Sequence, residues 1–205
     1  MRAPYYTAER TSYYAIERMI GMISGPNRSA CFRILRNNRK LFQTVQGSTN
    51  NHQAWLGGYF DHVQEIMNIA IALYVELNTL RPLPFSLSDA LLVVFLHDIE
   101  KPWKYEFHDG QLHHTNAFKT KAQAHEFRAQ KLKEYGIVLT LEQENGMRYV
   151  EGEFEDYSNR QRVMGPLAAL CHMADVASAR IWFDHPMQDG DPWQGAGRIR
   201  DTEKE

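Results

Sequence analysis

Long apolar runs are missing from this chain of 205 residues. The longest, 90–96 and 69–75, fall far short of the roughly 20 residues that span a bilayer, so no membrane segment is expected. The opening residues, Met1-Arg2-Ala3-Pro4, lack the apolar core of a secretory leader, and a cytoplasmic location is expected. Cysteine is scarce. Cys31 and Cys171 make no disulfide framework and read as buried thiols in a reducing compartment. Charge of one sign is also lacking: 23 basic residues against 25 acidic give a net charge of −2. Without a cationic field, a long nucleic acid is not an expected partner, and any phosphate recognition has to be local. Strand signals, internal repeats and low-complexity blocks are absent. What the chain has in excess is histidine, nine in all.

Apolar residues recur at helical spacing, which predicts an all-α bundle of about seven helices. The first is expected at 8–23, ending at Gly25-Pro26. The second starts at Ser29, and the third covers 54–80 and stops at Arg81-Pro82. Ser86 with Asp89 reads as a capping box for the fourth, whose residues 90–96 are apolar on every side and therefore buried all round. Residues 103–118 read as irregular, with a short hairpin at Asp109-Gly110. Helices at 120–135 (ended by Gly136), 140–150 (capped by Thr140 and Gln143) and 166–183 (opened by Pro166) complete the set. One domain is expected over 1–185, followed by a polar tail at 186–205.

Chemistry is expected where polar ligand types interrupt apolar stretches. His97-Asp98 follows directly on the buried run, and burying such a pair without partners costs several kcal/mol. His62 lies mid-helix among Tyr59, Phe60, Val63 and Ile66. His172 and Asp175, three apart, share a helical face in an otherwise small and apolar segment. A metal ion drawing ligands from these three helices would satisfy them together. Mixed imidazole and carboxylate donors suit a borderline divalent ion rather than a thiolate metal.

The order His62, His97-Asp98, Asp175 resembles that of the HD-domain metal-dependent phosphohydrolases. Residues 51–62, Asn-His-Gln-Ala-Trp-Leu-Gly-Gly-Tyr-Phe-Asp-His, resemble N-H-H-A-Y-x-G-G-L-L-E-H of a bacterial 3′-to-5′ exoribonuclease branch. Residues 97–101 resemble H-D-I-G-K, with Glu100 in place of the glycine. Residues 172–175 resemble the closing H-Y-A-D. The resemblance spans about residues 30–182. It implies an HD-type bundle holding a divalent ion (Mn²⁺, Fe²⁺, Zn²⁺, Co²⁺, Ni²⁺ or Mg²⁺) on His62, His97, Asp98 and Asp175. A second ion would draw on His125 and Glu151. Glu151 stands where relatives carry His-His-Gly, which puts a two-metal site in doubt. Asp98 and Lys101 would be catalytic. Lys101 would act as phosphate clamp or proton donor, and His52 would line the site. Lys104, Arg180 and His172 would contact substrate. The implied activity is hydrolysis of a phosphate ester or anhydride in a nucleotide or short oligonucleotide. Alternatives are a cyclic or linear dinucleotide phosphodiesterase, an HD-type di-iron oxygenase and a non-catalytic nucleotide-binding protein. A homo-oligomer is left open.

Overall fold

A helix with no polar side must be covered around its whole circumference. In a computed structural model of the protein that helix is α4, Leu87–Leu96, and every residue from 90 to 96 is buried. The structure describes residues 13–48, 51–108, 111–115, 118, 120–181 and 183. Around α4 stand α1 (Ile16–Gly21), α2 (Gly25–Phe42), α3 (Gly58–Leu80), α5 (Lys121–Tyr135), α6 (Leu141–Tyr149) and α7 (Pro166–Ile181). Helices α1, α3, α6 and α7 pack directly on α4, and α3 also lies along α7. The one sheet among the described residues is an antiparallel hairpin of β1 (Tyr105–His108) and β2 (Gln111–His114), entered through a 3₁₀ turn at Lys101–Lys104. The all-α expectation holds, hairpin included. No helix among the described residues is long and apolar enough to cross a membrane.

Helix starts follow from side-chain chemistry. Ser86, Thr120 and Thr140 each accept from the backbone N–H three residues on, and Asp89, Gln123 and Gln143 answer the reciprocal bond. Caps of this kind contribute about 1 kcal/mol each. Gly136, at φ 72°, ends α5. Helix α2 begins at Gly25, four residues before the expected Ser29, because Pro26 sits in its first turn, where a missing N–H is harmless. Residues 13–15 are not helical, and 8–12 of the expected first helix, with the tail at 186–205, lie outside the described residues. Both cysteines are free and buried, and burial pushes their thiols up, Cys31 to about 12.

Helix α3 begins at Gly58 rather than at 54. The segment before it folds back, with Gln53 at φ 42° and Gly57 at φ 80°. The Gln53 carbonyl accepts from Gly47 N–H at 3.0 Å, and Gln53 N–H donates to Phe183 O at 2.9 Å. A Cβ on Gly58 would lie 1.9 Å from that Gln53 carbonyl oxygen. Close backbone approach therefore explains the glycine inside a helical pattern. Gly58→Ala is expected to cost about 3 kcal/mol, the upper end of overpacking penalties. Urea denaturation measures it, and a loss no larger than that of an ordinary surface substitution rejects the account.

Candidate metal centre

Three helices each deliver a polar group to one point. His62, in the second turn of α3, is fully buried. His97 ends α4, with Asp98 in the turn after it, and both are buried. Asp175 comes from α7. His62 Nε2 lies 3.3 Å from Asp175 Oδ1 and 3.8 Å from Asp98 Oδ2. His97 Nε2 lies 3.0 Å from Asp98 Oδ2 and 3.8 Å from Asp175 Oδ1. Ligand atoms of His62, His97 and Asp175 fall within 4.8 Å of one another.

Both Nε2 atoms lie within ion-pair range of the carboxylates, yet His62 Nε2, His97 Nε2 and Asp98 Oδ1, all buried, make no hydrogen bond. One orphaned buried group costs about 1–3 kcal/mol. Three at one point have the donor set and spacing of a divalent-ion site. The far ring nitrogen agrees: His97 Nδ1 donates to Val94 O at 2.7 Å, which makes Nε2 the atom that would ligate an ion once its proton is displaced.

The charges are strongly coupled. Burial opposes ionisation of Asp98, but His97 and Lys101 outweigh it and hold the carboxyl well below its usual range. Burial pushes the His97 ring down, and the Asp98 and Asp175 carboxylates more than reverse this, taking it to about 9. Lys101 Nζ lies 2.5 Å from Asp98 Oδ2. Burial disfavours its charge, Asp98 restores it, and the amine titrates above its ordinary value. His52 borders the site, its ring 4.9 Å from that of His62. Burial, with His62 and Lys101 nearby, drives it down to about 4.

No family model, curated protein or solved structure matches the chain.

The other expected residues fall outside the cluster. His125, a candidate ligand for a second ion, is exposed and is not among the three clustered ligands. Helix α5 turns Ala124 and Arg128 inward, and the next position after Ala124 points about 100° away. Glu151 is 37% exposed and lies 3.9 Å from Arg128 Nη2 rather than among the ligands. Lys104 Nζ lies 3.8 Å from Glu100 Oε1, and Arg180 is exposed. His172, half-buried, donates from Nδ1 to Val150 O at 2.7 Å. Glu100, which stands in place of the H-D-I-G-K glycine, is buried and accepts two bonds from Arg128, from Nε at 2.9 Å and Nη2 at 3.2 Å.

The sequence reading missed Gln53, Glu65 and Ser178, all buried. Glu65 follows His62 by three residues and Ser178 follows Asp175 by three, so each shares its ligand's helical face. That spacing was the available signal. Glu65 Oε2 accepts from Ser178 Oγ at 2.5 Å and from Gln53 Nε2 at 2.9 Å. Burial still pushes its carboxyl up, from 4.5 to about 7, with Asp61 adding to the rise. Between these pH values the folded chain keeps a proton that the unfolded chain has lost. Stability should therefore fall by about 3 kcal/mol as pH rises through that window, and level off above it. Urea denaturation from pH 4.5 to 8 against Glu65→Gln measures this. Parallel profiles for the two proteins reject it.

Proposed function

We propose that the protein is a metal-dependent hydrolase of a phosphate ester or anhydride in a small phosphorylated substrate, a nucleotide or short oligonucleotide. The observation that carries this reading is the convergence of three orphaned buried ligand atoms beside a lysine. His62, His97, Asp98 and Asp175 would hold the ion. Bound there, a divalent ion supplies a Lewis acid and lowers the pKa of coordinated water toward about 7.

The chain's own groups supply the rest. Lys101 titrates above its ordinary value, so it acts as a cationic clamp on phosphoryl oxygens and not as a proton donor. The His52 ring is uncharged at neutral pH, so it offers one ring nitrogen as a hydrogen-bond acceptor that orients a water or a substrate hydroxyl. The net charge of −2 favours a small substrate over a long polyanion. The order of the motifs, similar to that of HD-domain phosphohydrolases, points the same way. With His125 exposed and Glu151 facing Arg128, two ligands that a second ion would use are turned elsewhere. This favours the hydrolase over a di-iron oxygenase.

The test is a phosphate-release screen of the protein loaded with Mn²⁺, Fe²⁺, Co²⁺, Ni²⁺, Zn²⁺ or Mg²⁺. Substrates should include nucleoside mono-, di- and triphosphates, cyclic dinucleotides and short oligonucleotides. Turnover that a chelator abolishes and metal restores is expected. Hydrolysis of nothing with any of these ions sinks the reading.

A further inference from the structure

Glu65 is the one buried carboxylate described near the cluster whose oxygen receives bonds leading toward two different histidines. A carboxylate Oε2 that already receives two bonds can only accept. The Ser178 hydroxyl, 2.5 Å away, must therefore donate its single proton to Glu65. Its oxygen is then free only to accept, and His62 Nδ1, 3.0 Å away, must carry the proton between them. That leaves His62 Nε2 as a bare lone pair, the atom aimed at Asp98 and Asp175.

The same logic runs along a second arm. Gln53 faces Glu65 Oε2 at 2.9 Å, so the atom there must be its amide nitrogen. The amide oxygen is thereby turned the other way, 2.7 Å from His52 Nδ1. A carbonyl oxygen accepts only, so His52 Nδ1 carries the proton and its Nε2 is an acceptor. Both bonds land on one oxygen of Glu65. The other oxygen can take a proton without reversing either arm.

We infer that Glu65 is a positioning residue at the root of a buried fork, which fixes the tautomer of His62 through Ser178 and of His52 through Gln53. One arm prepares a metal ligand and the other a hydrogen-bond acceptor beside it. The role assigned to His62 rests on reading the cluster as a metal centre. The tautomers themselves do not.

The experiment is therefore done in two parts on the full chain. Long-range proton–nitrogen spectra of metal-free protein read the tautomer of each histidine. Electron paramagnetic resonance titration with Mn²⁺ alone reads affinity. In the unaltered protein both rings should be protonated on Nδ1. Ser178→Ala should release His62 into mixed tautomers, leave His52 unchanged and weaken Mn²⁺ about 10- to 100-fold, the scale of outer-shell partners of ligating histidines. Gln53→Leu should release His52 into mixed tautomers and change His62 and Mn²⁺ affinity far less than Ser178→Ala does, because Ser178 keeps its bond to Glu65 while losing only the weaker 3.2 Å bond from Gln53 Nε2. Glu65→Gln should disturb both rings. A purely structural role would move both histidines together in each single-arm variant, and that result overturns the fork. So does retention of both wild-type tautomers in Ser178→Ala and Gln53→Leu. The predicted tautomer pattern in a protein that binds no Mn²⁺ supports the fork and refutes the metal reading.

Discussion

Glu100→Ala is expected to lower the stability of the protein by about 3–5 kcal/mol, the cost of leaving a buried charge without its partner. Arg128 is 7% exposed and Glu100 2%. The carboxylate takes both Nε and Nη2 of the guanidinium, a paired geometry that lysine could not reproduce. Lys104 at 3.8 Å adds a second cation to the same carboxylate, and Glu151 reaches Arg128 only at 3.9 Å. Truncation at 100 thus leaves two cations facing one half-exposed acid. Because desolvation offsets most of what such a pair gains, a Glu100→Leu/Arg128→Met double variant is expected near wild-type stability. Urea denaturation of both proteins decides the matter. A double variant as unstable as the single one would show that packing, not the unpaired charge, carries the loss.

Asp98→Asn is expected to reduce metal-dependent phosphate release on the order of 10³-fold, as removal of one well-placed electrostatic group does in other hydrolases. The substitution keeps the shape of the side chain and removes its charge. Two further consequences follow within the site. Asp98 is the main partner that lifts His97 to about 9, so in the variant, with Asp175 left alone against burial, the ring should titrate lower. Lys101 loses the carboxylate 2.5 Å away that sustains its charge. An ion bound as proposed would displace the His97 proton at neutral pH, so affinity should tighten as pH rises toward about 9. In Asp98→Asn that dependence should shift to lower pH. Calorimetric titration with Mn²⁺ at several pH values, with His97 followed by magnetic resonance, reads both effects. Unchanged phosphate release in the variant places the chemistry elsewhere.

Much of the fold was legible because its signals were local. The apolar run 90–96 had only one way to be covered, and Ser86, Thr140, Gly136 and Pro166 marked helix ends by chemistry that needs no distant partner. Gly25-Pro26 misled because proline serves equally as a stop and as a first-turn residue. The third helix was drawn four residues too long because the Gly58–Gln53 approach is a contact between backbones, invisible in residue type. Among candidate site residues, His62, His97, Asp98 and Asp175 are legible as polar interruptions of apolar stretches, whereas Lys101 and His125 enter only through the resemblance, and helical phase sends His125 outward. The Glu100–Arg128 pair joins the turn after α4 to α5, and the Glu65–Ser178 bond joins α3 to α7; no local pattern specifies which segments meet.

The Gly58–Gln53 contact has a consequence for how the site opens. The segment that carries His52 is held at Gly47, at Phe183 and against the first turn of α3. A stretch fastened at three places cannot swing as a lid. That side of the site is a fixed wall; under the proposed activity, a substrate there would be selected by fit to a contour set before it arrives, not by a closing lid.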